Sequence, residues 1–578
     1  MTEPRQTVIL TGTNCVSGAA AGDILATDLE LSFWGGVDPA KGEVIDRHHP
    51  LSGERLKGRI LALPGGRGSC SGSGVILEML VNGQGPDAIL IARPDDIIAL
   101  GVLVAEEIFR KSIPLVILAP DDFRQVLSAP YGRVTDGTVL LGDEPVESLT
   151  AGDVHPETPE LSLTVHDQAL LTGAEGRARQ VAMNIITRMA RMIGAKELMD
   201  VTQVHIDGCV YTGNASLTFA EALAEMGGRV AVPTTLNSIS VDYRHWQAQG
   251  VDPAFAGQAR ALADAYTAMG AAPTYTCAPY LLPTAPVAGE QVAWAESNAV
   301  VYANSVLGAR TMKYPDFLDA CIALTGRAPR AGPHLAAGRR AGLRIRVDMP
   351  DGADDLIYPL LGYAIGRIAG DAIPAVEGLA SLRPDTDALK AFGAAFATTA
   401  SAPMFHIIGV TPEAPTLADV LGPDAMESAH RITSADLHPL WSALNGVKGG
   451  RVDLVSLGNP HFSLSEFGKL AALCRGRTRH RDTRMIITAA RDIVHRADEA
   501  GYLQTIRDFG ATIVTDTCWC MIAEPVIPAK AETVLTNSAK YAHYGPGMTG
   551  RSYAMASLHA CVAAAESGML PDGMPDWL

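Results

Sequence analysis

Short runs of aliphatic and β-branched residues at Thr7–Leu10, Arg59–Leu63, Ala88–Ile91 and Leu115–Leu118 predict strands. Between the last two, apolar positions from Ile97 to Arg110 recur at helical spacing. Farther on, Val181, Ile185, Met189, Met192 and Ile193 share one helical face. Phe219, Leu223 and Met226 mark another helix, closed by Gly227-Gly228 as a left-handed C-cap requires. Arg229–Val232 reads as the strand after it. The alternation continues to the C-terminus and predicts α/β layers on parallel sheets. Residues 142–161 break the pattern: Pro145, Gly152, Pro156 and Pro159 stand among acids with no apolar period, as in a linker. The chain therefore divides into a small β-rich unit, 1–150, and a large α/β region, 151–578.

Composition narrows the function. The net charge of −17 repels phosphate backbones and argues against a nucleic-acid partner. With 47% apolar and 19% charged residues, the chain has the balance of a folded protein. The opening MTEPRQTVILTGTNCVSG lacks the basic flank and long apolar core of a secretory signal. The weakly apolar stretch from Phe392 to Val410 carries Pro403 and His406 and reads as buried core rather than a membrane span. Nine irregularly spaced cysteines do not form a disulfide framework. These features predict a soluble, cytosolic protein, monomer or homo-oligomer.

Four segments carry candidate chemistry. Gly65–Gly74 packs five glycines, three serines and Cys70 into a strand-to-helix turn, where backbone N–H groups can converge on an anion. It lacks the Gly-Lys-Ser/Thr of a P-loop and the spacing of a nucleophile elbow. A tight structural turn is the plainer reading of such a loop. His205-Ile-Asp-Gly-Cys209-Val210 and Thr234–Ser238 flank a crossover helix, so both fall at strand ends where ligands bind. Cys277, Cys518 and Cys520 lie at loop edges beside proline and polar turns. No Cys-x-x-Cys pair is present, so these thiols are inert core or dispersed ligands of a cluster. Arg310 and Lys540, in dense polar strings, are candidates to pair with a substrate carboxylate.

Together with Trp294–Asn298, Ala303–Thr311, Asp516–Cys518 and Thr536–Ser538, these strings resemble the aconitase X family over nearly the whole chain. The resemblance implies an aconitase-like α/β fold, with a small swivel domain fused ahead of the catalytic part. It implies a hydro-lyase using an iron–sulfur cluster as Lewis acid and Ser69 as base. The fused branch of the family dehydrates cis-3-hydroxy-L-proline, and the fused order here favours that substrate. By the same resemblance, Arg67 and backbone N–H groups stabilise the Ser69 alkoxide. Arg67, Ser71, Gly208, Cys209, Val210, Asn237, Ser238, Arg310 and Lys540 meet the substrate, and closure of a cleft shuts out water. Where the heterodimeric branch has Gly-Cys-Pro-His, this chain has Gly458-Asn459-Pro460-His461, so one thiol ligand is absent. That departure points to a smaller, two-iron cluster on Cys277 and Cys518, completed by Cys520 or, as its rival, Cys209. The other readings are the same fold acting on mevalonate 5-phosphate, an iron-sensing RNA binder, or an electron-transfer protein.

Overall fold

The computed structural model describes residues 7–47, 49–145, 160–422, 429–447 and 449–578. Most of the linker expected at 142–161 lies outside the described residues. The chain forms two compact bodies: one runs to Thr234 and adds Ala268–Gly270 and Tyr314–Ala331, and the other is Thr235–Thr267, Ala271–Lys313 and Gly332–Leu578.

The first body is built on an eight-stranded sheet. Its strands are β1 (Val8–Thr11), β2 (Thr13–Val16), β3 (Ala19–Ala26), β4 (Arg59–Leu63), β5 (Ala88–Ile91), β6 (Leu115–Ile117), β7 (Tyr131–Thr135) and β8 (Thr138–Gly142). They lie in the order β1-β8-β7-β3-β4-β5-β6-β2. The central strands β3 to β6 run parallel, with antiparallel strands on both flanks. Every residue of β5 is buried, as in a parallel strand covered on both faces. Helices α1 (Gly72–Val81) and α2 (Asp96–Phe109) cross over between these strands. They pack closely because Gly101 has no side chain: a Cβ there would sit 2.8 Å from Ser73 O. Asp95 caps α2 by accepting from Ile98 N at 2.9 Å, and also accepts from Gly66 N at 2.6 Å. One carboxylate thus starts the helix and pins the glycine-rich loop.

The compact body does not stop at residue 150. Helices α3 (Arg177–Met192), α4 (Asn214–Glu225) and α5 (Leu318–Thr325) belong to it. Arg188 on α3 pairs with Glu106 on α2 at 2.6 Å, and Glu78 on α1 accepts from Ala215 N at 2.8 Å. Arg327 is buried between Asp167 and Asp200, at 2.7 and 2.5 Å. The strand expected at Arg229–Val232 does not form. Arg229 and Ala231 are exposed, too few apolar side chains face inward, and the strand begins after Pro233, at Thr234–Leu236.

The second body holds two parallel sheets. The smaller joins β9 (Leu343–Val347), β10 (Pro374–Glu377), β11 (His406–Ile407) and β12 (His430–Ile432) in the order β11-β10-β9-β12. Phe392, Phe396 and Phe405 meet edge to face in its core, so the Phe392–Val410 stretch is interior packing, as expected. Among the described residues no helix is long and apolar enough to cross a membrane. The larger sheet contains β13 (Leu454–Leu457), β14 (Arg484–Ala489), β15 (Thr512–Thr515), β16 (Thr533–Thr536) and β17 (Ser552–Met555), in the order β15-β14-β13-β16-β17. All its pairings are parallel. The chain reverses winding direction between β13 and β16, so the loops leaving their carboxyl ends spread apart and open a crevice.

Gly458 makes the turn out of β13. Its φ is +94°, and a Cβ there would lie 2.2 Å from Thr488 O. Gly458→Ala should therefore destabilise the second body by about 1–3 kcal/mol, from overpacking and left-handed strain. Gly446→Ala, whose nearest neighbour would be Tyr553 O at 3.8 Å, should cost far less. Thermal unfolding of the two variants checks this; equal midpoints would refute it.

Candidate active site

In the first body the turn after β4 carries Ser69 and Ser71 into α1. Gly68 takes a φ of +86°, which the loop needs to double back before the helix. Ser69 Oγ donates to Ser71 Oγ at 3.3 Å and receives Ser71 N–H at 3.4 Å. Ser71 Oγ donates in turn to Asp207 Oδ2 at 3.2 Å. All three side chains are buried. Gly74 allows this approach, since a Cβ there would stand 3.1 Å from Thr212 Oγ1. Arg67 is directed elsewhere: its guanidinium pairs with Asp46 at 2.9 Å and bonds the Glu30 carbonyl at 3.3 Å. Ser73 bonds the Cys70 and Asp316 carbonyls and is part of the scaffold.

The segment Asp207–Val210 follows the strand Val204–Ile206 and is fully buried. Asp319, on α5, accepts from the backbone N–H of Asp207 at 2.7 Å, Gly208 at 3.2 Å and Ala320 at 2.6 Å. Burial lifts the Asp319 carboxyl to about 6, against these stabilising N–H bonds. Burial, then the charges of Asp207, Asp319 and Asp316, push the Cys209 thiol well above its usual range and keep it protonated.

The second body gathers the other expected residues at the carboxyl ends of the larger sheet. Cys518 and Cys520 follow β15, Asn459 and His461 follow β13, and Lys540 lies on the helix after β16. The Cys277 loop joins them through Thr274, whose hydroxyl donates to Leu236 O at 2.8 Å. Ile239 N donates to Asp516 O at 2.7 Å, which ties the Asn237-Ser238 turn to the Cys518 loop. His461 links the two thiol loops. Its N–H donates to Cys277 Sγ at 3.3 Å and its Nε2 bonds Thr517 O at 2.9 Å. Burial lowers its pKa, so the ring is neutral with the proton on Nε2.

Cys518 hydrogen-bonds with both Cys277 and Cys520, and these two contacts, helped by Lys540, hold its thiol well below the usual range despite burial. Cys277 is pushed up by burial, and Cys520 by its Cys518 contact and burial. The Asn459 amide lies 3.6 Å from Cys520 Sγ. Among the described residues no three His, Cys, Asp or Glu side chains close around one metal ion. Three cysteines brought together on loops beside a buried ammonium supply the sulfur donors that an iron–sulfur group takes.

Glu296 organises the surrounding charge. It accepts from Lys540 Nζ at 3.0 Å, Asn298 Nδ2 at 2.6 Å and Asn237 Nδ2 at 3.3 Å. Although burial opposes it, Glu296 and the two nearby cysteines raise Lys540 well above its ordinary pKa. Ser238 N–H and hydroxyl both donate to Asn237 Oδ1. Arg310 belongs to a different group and donates to the His334 carbonyl at 3.2 Å. Upstream of the thiols, Tyr275 and Asp516 adopt φ of +44° and +68°. Arg491 holds both, stacking 5.0 Å from the Tyr275 ring centre and bonding Asp516 Oδ2 at 2.7 Å. A hollow of about 800 Å³ beside Trp441 and Trp577 in this body is lined by none of the thiols.

Residue patterns had pointed to the thiols, the serine loop and Lys540, but not to Asp319, Arg491 or the organising role of Glu296. A lone Asp inside the buried apolar run Leu318–Leu324 was the available signal for Asp319.

Four family descriptions match in succession: the aconitase X swivel domain over residues 9–141, and its first, second and third domains over 160–337, 341–442 and 452–567. The chain belongs to the aconitase X family. Its fold is accordingly aconitase-like, with the swivel domain at the N-terminus. Among aconitase X relatives it is 57% identical over 577 residues to cis-3-hydroxy-L-proline dehydratase of Hypocrea jecorina, covering 98% of this chain and 97% of that one. The protein of the same name from Pseudomonas aeruginosa is 53% identical, covering 97% of each chain. The phosphomevalonate dehydratase large subunit of Methanothermobacter thermautotrophicus is 34% identical, over 66% of this chain and 94% of that subunit. The crystal structure of Thermococcus kodakaraensis aconitase X in its holo-form superposes with a TM-score of 0.63 at 29% identity, over 70% of this chain and all of that one.

Asp319 should leave a pH signature. Its folded value of about 6 lies above the ordinary 3.8, so between these the folded state keeps a proton the unfolded state has released. The stability this proton provides is complete below pH 3.8 and is lost as pH rises through about 6. Thermal midpoints measured across this window should fall less steeply with rising pH in Asp319→Asn than in the parent. Identical slopes would show that another group titrates there.

Proposed function

We propose that this chain removes water from cis-3-hydroxy-L-proline, giving an enamine that tautomerises to Δ1-pyrroline-2-carboxylate. The observation that carries this reading is the Cys277, Cys518 and Cys520 set beside Lys540, with Cys277 and Cys520 buried and Cys518 partly exposed, in a chain 57% identical along its length to a protein named for that reaction. The phosphomevalonate reading is weaker, because those relatives match only 66% of this chain.

The reaction needs a base for the C2 proton and an electron-pair acceptor for the 3-hydroxyl. We assign the base to Ser69, whose oxygen receives the Ser71 N–H. We assign cluster ligation to Cys277, Cys518 and Cys520, with two irons and two sulfides. Bound there, such a group supplies Lewis acidity toward a leaving hydroxyl. Its size is inferred from three thiols and from Asn459, an amide that reaches Cys520 but cannot replace a thiolate. The free state of all nine cysteines accords with a reducing compartment. Gly208, Cys209, Val210, Asn237 and Ser238 are assigned to substrate contact and Lys540 to its carboxylate, while Arg310, engaged at the His334 carbonyl, is left out of the assignment. Arg67, through Asp46, holds the Ser69 loop rather than the alkoxide.

Assaying cis-3-hydroxy-L-proline and mevalonate 5-phosphate side by side tests the substrate. Turnover of the second alone would overturn the proposal. Cys518→Ser should lose iron, acid-labile sulfide and visible absorbance together, and retention of all three would refute the ligand set. Ser69→Ala should lower kcat by ~10²-fold or more, the share of a general base.

We also propose that residues 1–150 and 151–578 are separable units, since the swivel and first-domain matches end and begin at 141 and 160. Co-expressed chains 1–150 and 155–578 should associate through contacts such as the partly exposed Arg188–Glu106 pair and the buried bond from Ala215 N–H to Glu78. Their failure to co-purify would count against this division.

A further inference from the structure

Serine is a poor base because its hydroxyl holds its proton too tightly at neutral pH. Something beside it must accept that proton if Ser69 is to take one from carbon. The two hydroxyl hydrogen bonds that lead away from Ser69 run in a single direction. Ser69 Oγ donates to Ser71 Oγ at 3.3 Å, and Ser71 Oγ donates to Asp207 Oδ2 at 3.2 Å. The Ser71 N–H points back at Ser69 Oγ from 3.4 Å, where it favours negative charge on that oxygen. The chain ends on a carboxylate whose side chain is fully buried.

We propose that Asp207 is the final acceptor of the substrate C2 proton, reached from Ser69 through Ser71. The inference rests on Ser69 being the base. As the C2–H bond breaks, its electron pair becomes the C2–C3 π bond, and the C3–O pair leaves with hydroxide. Ser69 Oγ receives the C2 proton while passing its own to Ser71 Oγ, and Ser71 passes its proton to Asp207 Oδ2. Asp207 finishes as a carboxylic acid, and turnover closes when its proton and the hydroxide combine as water. Asp207 never touches the reacting carbon, so it is a positioning residue that sets the basicity of one that does.

Neighbouring groups do not offer the same service. Asp319 uses Oδ2 for the N–H groups of Asp207 and Gly208 and Oδ1 for that of Ala320, so it steadies the Asp207 backbone. The Cys209 thiol is kept protonated by burial and the surrounding carboxylates. Ser73 spends its hydroxyl on two backbone carbonyls. Ser71 makes no side-chain cap bond to α1, so its hydroxyl is not needed to start that helix.

The test follows exchange of the C2 proton into deuterated buffer, with kcat and KM, in the full-length, iron-loaded protein. Asp207→Asn still accepts a hydrogen bond from Ser71 but cannot take a proton. It should lower exchange and kcat by ~10²-fold while KM, iron content and thermal midpoint stay near the parent's. Ser71→Ala should do the same, and Ser71→Thr, which keeps the hydroxyl, should recover most of the loss. Should Asp207→Asn fold poorly, the Ser71 pair carries the test: parental exchange in Ser71→Ala overturns the relay. Parental exchange in a folded Asp207→Asn overturns it as well. In either case a dead Ser69→Ala leaves the serine as base, whereas parental exchange in Ser69→Ala removes base and relay together.

Discussion

A charge taken out of water must find an opposite charge and enough hydrogen bonds, or the fold cannot bear it. In the second body that constraint falls on Glu296, buried among loops from several elements. Its carboxylate meets Lys540 from the helix after β16, Asn298 from its own turn and Asn237 from the turn after Thr234–Leu236. Asn298 passes the constraint on, donating to the Cys277 carbonyl at 3.0 Å and accepting from Tyr280 OH at 2.8 Å. The thiol loop, the amide turn and the Lys540 ammonium are therefore placed by one carboxylate. Removing it would strand Lys540 with its charge uncompensated, at a cost of about 3–5 kcal/mol.

The first body also buries acids. Asp207 and Asp319 are both buried, and the fold accommodates them by division of labour. Asp319 is satisfied by three backbone N–H groups and stays poised near 6, while Asp207 receives a hydroxyl. Such environments separate the behaviour of chemically identical side chains. A glycine at position 74 matters as much as either carboxylate, because it lets the helix carrying the serines come within reach of the 205–213 segment.

Much of this was legible in the residue pattern where the determinants are local. Strands β4 and β5 have the bounds that their apolar runs predict, because both are buried on two faces and read as continuous hydrophobic segments. The thiols stood out through the family resemblance, because by spacing alone inert buried cysteines are the likelier account. The Arg229–Val232 strand failed because two valines between exposed neighbours do not define a buried face. Nothing local reveals that Ser71 meets Asp207 across 136 residues, or that Lys540 meets Glu296 across 244. The reach of the first compact body to Thr234 was hidden for the same reason, since it depends on pairs such as Arg188 with Glu106.

The left-handed residues ahead of the thiols bear on when the loops acquire their shape. Tyr275 and Asp516 each occupy a backbone region that costs a non-glycine residue about 1–3 kcal/mol. Arg491 secures both with one planar guanidinium, by stacking on the ring and bonding the carboxylate. All of these partners are protein groups, so the unfavourable conformations are set when the chain folds. A group held by these loops would meet backbone that Arg491 already fixes through Tyr275 and Asp516.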